Sequence, residues 1–474
     1  MRSGIRRTTA AATAGLLLLT GALPQASAQP SSSTPATARP NSVPPDLPPG
    51  TQPPNDDGKP DVKYERTNKG CVESDTKSEL IETKPWGQVQ LNLDQAHRFA
   101  TGKGIKIAVI DTGVDPRNPR FAGRVEAGGE YVDNSKNANG TDDCDGHGTE
   151  VAGVAAAART EGDFVGAAPG ATILAIRQTS DRYEFKGDAA NPDKRSSAGK
   201  VGTLAMAIVR AANKDAKVIN ISLTNCGPPK GFSADDQKLQ AAIKYAVDVK
   251  NVVIVTAAGN LSEQGTGCAK QNDNLDPTNV NSVSSPAWFA NDVLSVGSIA
   301  QSGAVSSFSV WGPWVSIAAP GEEIISVDPK GTGLTNANVT AQGVQDIKGT
   351  SFASPYVAGI VALVRERFPE LTARQVMERV KATALHPGNV SGRDNKTGAG
   401  MINPVAALTA VLPAEAKGFK APQPKELNTA VTPPQGLDWP PIIVALSGIG
   451  IGGALLMLTL LVRNSLNRKR GKPA

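Results

Sequence analysis

The chain has 474 residues, with 49 Lys and Arg against 44 Asp and Glu and only three His. The formal charge of +5 belongs to the ends: residues 1–28 hold three Arg, residues 463–474 hold five basic residues, and neither stretch holds an acid, so the rest carries 41 basic against 44 acidic residues. A near-neutral body with 4% aromatic residues lacks the basic face and stacking rings of a nucleic-acid binder, and three histidines leave little room for a multi-histidine metal site.

In chain order, the first segment reads as an export signal. Arg2, Arg6 and Arg7 precede an apolar stretch over 10–23, and Ala26-Ser27-Ala28 offers a small-residue cleavage site before Gln29. Proline then recurs every few residues over 29–60, with little to bury, so 29–85 reads as a proline-rich extension. Residues 86–412 are long enough for one large core. A second proline-bearing stretch, 413–440, reads as a stalk. Residues 441–462, PIIVALSGIGIGGALLMLTLLV, carry no charge and suffice for one transmembrane helix. The basic tail 463–474 follows, and positive charge stays cytoplasmic. The body is therefore expected on the extracytoplasmic side of a cell membrane. Four cysteines in an exported chain, Cys71, Cys144, Cys226 and Cys268, suggest two disulfides, with three possible connectivities.

The body alternates strands and helices. Short β-branched runs fall at 105–110, 172–176, 218–223, 252–256 and 293–299, and helical patterns at 203–213 and 234–249. Continuous apolar strands alternating with helices predict an α/β fold: a parallel sheet with helices on both faces. Functional groups in such sheets gather beyond the carboxyl ends of the strands. The charged loop 181–200 reads as a mobile surface insertion.

Three motifs carry chemistry at those places. The strand KIAVI ends in Asp111-Thr112-Gly113. Gly146-His147-Gly148-Thr149 opens an alanine-rich helix, and the flanking glycines leave the imidazole accessible. Gly349-Thr350-Ser351 leads into the apolar helix YVAGIVALVRERF. Singly, these are a turn acid, a helix start and an N-cap. In the order Asp111, His147, Ser351 they supply the acid, base and nucleophile of serine hydrolysis. Ala257-Ala258-Gly259-Asn260 follows a fourth strand, where an amide can donate to the oxyanion of a tetrahedral intermediate. His97 and His386 have no comparable setting. Asp142, Asp143 and Asp145 read as a solvated turn, and no calcium loop, metal site or other cofactor is expected.

These motifs, with Gly166-Ala167-Ala168-Pro169-Gly170, Ala319-Pro320-Gly321 and Gly398-Ala399-Gly400-Met401-Ile402-Asn403-Pro404, make the chain resemble the subtilases over residues 94–412. Export signal, proline-rich extension, stalk, membrane helix and basic tail together resemble the mycosins, membrane-anchored proteases of actinobacterial type VII secretion. The resemblance implies a periplasmic serine endopeptidase that cleaves exported protein substrates in contact with a secretion membrane complex, with no role for nucleic acid. A structural role in that complex is the second reading. Within the resemblance Asp111 orients, His147 is base and then acid, Ser351 attacks and Asn260 stabilises the oxyanion. Ile221-Ser222-Leu223 lines the cleft and pairs with an extended peptide. Thr224 stands where many subtilases have Gly, which narrows the primary pocket toward small residues.

Cys226 and Cys268 follow consecutive strands whose carboxyl-end loops are neighbours, so they are expected to pair, leaving Cys71 for Cys144. That bond ties the extension beside His147. Residues 29–85 are too proline-rich to fold as a separate inhibitory domain, and the extension is expected to wrap the body, with an atypical inhibitor as the alternative.

Overall fold

The computed structural model describes residues 41–75, 84–187, 196–229, 231–262, 268–273, 278–340, 343–415 and 439–470. The export signal, the extension before residue 41 and at 76–83, residues 188–195 of the insertion, most of the stalk and the last four residues lie outside the described residues.

Continuous apolar runs become strands covered on both faces. Seven of them form one parallel sheet: β1 Lys106–Asp111, β2 Val125–Glu130, β3 Thr172–Arg177, β4 Val218–Ile221, β5 Val253–Ala257, β6 Leu294–Ile299 and β7 Ile317–Pro320. Their order is β7-β6-β5-β4-β1-β3-β2. The chain leaves β1 for the edge, returns through β3, then crosses to β4 on the other side of β1. That reversal opens a crevice at the carboxyl end of β1, where Asp111 stands. Strands β2 and β7 escape the periodicity reading because VEAGGE is a Gly-rich edge strand and IAAP is only four residues long.

The helices pack in two pairs. Helix α1, His147–Ala156, lies against α4, Thr350–Arg367, on one face, and α2, Val201–Asn213, lies against α3, Ala234–Lys244, on the other. Helix α4 is buried from Thr350 through Arg365, which is why its sequence is apolar all round rather than striped. Helix α5, Ala373–Ala382, starts at a Thr372–Gln375 capping box.

Residues 41–75 of the extension lie along this body. Asn41 Oδ1 accepts from Val280 N at 2.7 Å, and Pro45 O accepts from Gln240 Nε2 at 3.0 Å. Asp56 pairs with Arg210 at 3.1 Å and accepts from the Tyr131 hydroxyl at 2.5 Å. Strand Glu73–Asp75 then adds to the hairpin Ala337–Thr340 and Gly343–Asp346. The structure pairs Cys71 with Cys144 and Cys226 with Cys268.

The insertion is more than a mobile surface loop. Tyr183–Phe185 pairs with Glu65–Arg66 of the extension on one side and Ser196–Ser197 on the other. Tyr183 and Phe185 alternate inward and bury against Tyr64 and Val132. The charged residues around them hide a period-two pattern too short to stand out.

The second unit begins at Pro413. Its helix α6, Trp439–Arg470, contains an apolar stretch, Ile443–Leu466, with mean hydropathy 2.2, long enough to cross a membrane. The helix continues through the first part of the basic tail.

Candidate active site

Asp111 is the last residue of β1 and is fully buried. His147 is the first residue of α1, and its Nδ1 donates to Asp111 Oδ1 at 2.7 Å. Gly148 permits that approach: a Cβ there would stand 2.0 Å from Gly113 O and 3.1 Å from Asp111 Cβ. The imidazole side chain remains 30% exposed, so its other face is open.

A buried acid anchors the start of α1. Asp143 Oδ1 accepts from Thr112 Oγ1 at 2.9 Å and Gly146 N at 2.7 Å, and its Oδ2 accepts from Thr149 N at 2.9 Å and Thr149 Oγ1 at 2.6 Å. Thr112 Oγ1 in turn accepts from Gly148 N at 2.9 Å. Asp143 thus holds the turn after Asp111 to the turn that presents His147, in place of the solvated turn expected for Asp142, Asp143 and Asp145. Of the three only Asp142 is exposed. An acid-rich run reads as polar surface, and only the two threonines six residues from it and thirty-one residues before it reveal the hub.

Ser351 is the second residue of α4, and the ring of the next residue, Phe352, meets the imidazole edge-on with centroids 5.2 Å apart. This contact sets the first turn of α4 beside His147. No hydrogen bond joins Ser351 Oγ to His147 among the described residues; such pairs often close only around bound substrate. Asn260, three residues beyond β5, is fixed through its Oδ1, which accepts from Thr350 N and Thr350 Oγ1, each at 3.0 Å. Its Nδ2 is thereby turned toward Ser351. Both atoms border one space: a Cβ placed on Gly349 would lie 2.9 Å from Ser351 Oγ and 3.3 Å from Asn260 Nδ2. Gly349, with φ 148°, leaves that space free.

The three residues after β4 separate in role. Ser222 is buried, and its hydroxyl donates to Ser351 O at 2.7 Å. Its side chain therefore supports the first turn of α4. Leu223 packs partly against the core, and Thr224 is exposed. Both line an indentation shared with Gly199 and Lys200.

The electrostatics favour a charged imidazole. Burial opposes the proton on His147, but the adjacent Asp111 carboxylate, helped by Glu150 and Asp143, outweighs it and raises the pKa to about 9. Burial pushes Asp143 up to about 6, against the pull of its hydrogen bonds, and Glu150 up to about 8. Glu150, three residues after His147 on the buried side of α1, was not singled out from the sequence. An acid within an apolar helix face is the signal that could have found it. His97 and His386 bond to the carbonyls of Ala167 and Ala399. Among the described residues no group of three or more His, Cys, Asp or Glu side chains is arranged to hold a metal ion.

The family model of subtilases matches residues 102–400. Mycosin-1 of Mycobacterium tuberculosis is 44% identical over 406 residues, covering 81% of this chain and 86% of that one. The crystal structure of MycP1 from Mycobacterium smegmatis superposes with a TM-score of 0.71 at 39% identity, over 81% of this chain and 99% of that one. A chain in the structure of an intact ESX-5 inner membrane complex matches with a TM-score of 0.72 at 36% identity, over 90% of this chain and all of that one.

Proposed function

We infer the function from one premise: the chain belongs to the subtilase family and, within it, to the mycosins. It is a subtilisin-like serine endopeptidase of protein substrates. The observation that carries the catalytic assignment is the 2.7 Å bond from His147 to Asp111 beside the first turn of α4. Asp111 holds the proton on Nδ1, so that Nε2 is the base once the imidazolium has released its second proton. Ser351 Oγ attacks the scissile carbonyl as Nε2 takes its proton. Asn260 Nδ2 and the first-turn N–H of Ser351 donate to the oxyanion. The imidazolium then protonates the leaving amine, and water repeats the sequence in reverse to free the acid. The main chain at Leu223 offers the edge along which an extended peptide pairs, and the Thr224 side chain favours a small residue before the scissile bond.

The chain is anchored by α6, with the catalytic body of residues 86–412 outside the cytoplasm and the basic residues after 462 inside it. A homologous chain sits in the ESX-5 inner membrane complex. By that likeness this protein works on exported proteins while docked to a type VII secretion complex. The same likeness supports a second role, as a structural subunit of that complex.

The test compares wild type, Ser351→Ala and full deletion in the native host. Processing of an exported substrate stops in Ser351→Ala. Secretion that survives Ser351→Ala but not deletion establishes the structural role. Undiminished processing in Ser351→Ala overturns the catalytic assignment.

A further inference from the structure

Asn260 is held from several directions. Thr350 fixes its side chain by donating to Oδ1 from N and from Oγ1. Residues 308–310 fix its main chain on one side. Phe308 O accepts from Leu261 N at 2.7 Å, and Val310 N donates to Gly259 O at 3.0 Å. On the other side stands Cys268, whose N–H donates to Asn260 O at 3.2 Å and whose carbonyl accepts from Ser262 N at 3.1 Å.

Cys268 is fully buried, whereas Ala269 and Lys270, which follow it, are exposed. Its side chain is bonded to Cys226, with the two Cα atoms 4.9 Å apart. The next side-chain tether is three residues on, where Gln271 Nε2 donates to Ser309 O at 2.9 Å. Cys226 is itself anchored, in the short strand Asn225–Gly227, directly opposite Ser284. Both ends of this arrangement press on the residue before Asn260. A Cβ on Gly259 would stand 2.7 Å from Ser284 Oγ and 3.8 Å from Cys268 Sγ, and Gly259 has φ 107°. Glycine at that position lets the bridge and its paired strand pack against the turn that carries Asn260.

These contacts close a ring. It starts at the Ser351 carbonyl and passes to the Ser222 hydroxyl at 2.7 Å. It follows the chain through Leu223 and Thr224 to Cys226 and crosses the disulfide to Cys268. From there it reaches Asn260 and returns through Thr350 to Ser351. The first turn of α4, the edge at Leu223 and Thr224, and the Asn260 amide are all members. The disulfide is the covalent tie between the loop after β4 and the loop after β5.

An oxyanion donor works only at hydrogen-bond distance from the charge that develops. An error of about 1 Å in such a constellation can cost about 10² in rate. A tie that fixes the donor against the edge holding the acyl chain therefore bears on the transition state.

We propose that Cys226 and Cys268 are positioning residues: their bond sets the Asn260 amide against the peptide-pairing edge and so acts on catalysis through Asn260, beyond any share in stability. The proposal rests on the reading of Asn260 as an oxyanion donor.

The experiment is a cycle in the full-length protein in detergent micelles. It compares wild type, Cys226→Ala with Cys268→Ala, Asn260→Ala, and all three substitutions together. The readout is kcat for a short chromogenic peptide amide, taken per active site titrated with a fluorophosphonate, which cancels any loss of folded enzyme. Removing the bond is expected to lower kcat about tenfold where Asn260 is present, because Thr350 and residues 308–310 still hold the amide in part. Where Asn260 is already Ala, it should change kcat by about twofold at most. The difference corresponds to a coupling of about 1 kcal/mol, from 1.4 kcal/mol per tenfold. A purely structural bond would lower both backgrounds by the same factor. Should the cysteine variants not fold, a phosphine opens the bond in folded Cys71→Ser/Cys144→Ser protein, where it is the one disulfide left. The same two ratios are then read with and without Asn260→Ala. Equal losses in the two backgrounds, or no loss in either, overturn the positioning role and leave the oxyanion reading standing. A loss below about threefold for Asn260→Ala alone overturns the oxyanion reading beneath it.

Discussion

Ser222 holds the carbonyl of Ser351. Pro355 stands four residues after Ser351 inside α4 and has no N–H, so the Ser351 carbonyl lacks its intrahelical donor. The Ser222 hydroxyl supplies the missing hydrogen at 2.7 Å, while accepting from Asn220 Nδ2 at 2.9 Å and lying 3.0 Å from Ser354 Oγ. A residue just after β4 thereby sets the first turn of the helix that presents Ser351, the proposed nucleophile.

Ser222→Ala should therefore leave the buried Ser351 carbonyl with only the longer bond from Ser354 Oγ, at 3.4 Å, and strand the buried Asn220 amide. The expected cost is about 1–3 kcal/mol of stability, read by urea denaturation. It should also lower kcat while leaving KM for a short peptide nearly unchanged, because the Ser222 hydroxyl is buried beneath the first turn of α4. A raised KM with unchanged kcat would return Ser222 to the substrate-binding edge.

Asn260 is held by its oxygen so that its nitrogen faces the space beside Ser351 Oγ. Asn260→Ala is expected to lower kcat by about 10²–10³, the usual cost of one oxyanion donor, with KM little changed. A loss below threefold in steady-state kinetics would remove the amide from the oxyanion site.

The positions of Asp111, His147 and Ser351 were legible because each stands where an element begins or ends, flagged by glycine, and chain order does the rest. The support beneath them was not. The role of Ser222 depends on Pro355, which is 133 positions away and reads only as a helix interruption. Asp143 lies in an acidic run whose burial follows from the packing of two turns, not from its neighbours in sequence. The small sheet that joins the extension to Tyr183–Phe185 pairs residues more than a hundred positions apart, and no local pattern encodes such pairing.

Thr224 is exposed at the mouth of the indentation shared with Leu223. Thr224→Gly removes the side chain proposed to narrow the primary pocket. A peptide library profiled with this variant should show gains for Leu and Phe before the scissile bond and little change for Ala. A wild-type profile already dominated by aromatic residues would sink the proposal.

Glu150 makes stability and activity depend on pH in one direction. Burial lifts its carboxyl from an ordinary 4.5 to about 8, so the folded chain keeps a proton that the unfolded chain releases. That stabilisation is full below about 4.5 and is lost as pH rises to about 8. Glu150→Gln, which does not titrate, should gain stability relative to wild type across that window in urea melts at pH 4.5, 6.5 and 8.5. The negative charge on Glu150 also helps hold the His147 proton. The acid limb of kcat/KM should lie on the alkaline side of 6.5 in the wild type and move to lower pH in the variant. Parallel stability curves together with superimposable pH profiles would refute both expectations.

The Cys71–Cys144 bond closes 73 positions of chain and ends three residues before His147. Cross-linking a loop of that length disfavours the unfolded chain by about 4 kcal/mol at most. The double substitution Cys71→Ser and Cys144→Ser should therefore lower stability by about 2–4 kcal/mol. It should also free strand Glu73–Asp75 from the hairpin at Ala337–Thr340, next to the helix that carries His147. The Asp56–Arg210 pair and the Tyr64 cluster hold the earlier part of the extension independently. Limited proteolysis should accordingly cut first around residues 67–75 while 41–66 stays protected. Simultaneous cleavage throughout 41–75 would show instead that the disulfide anchors the whole extension.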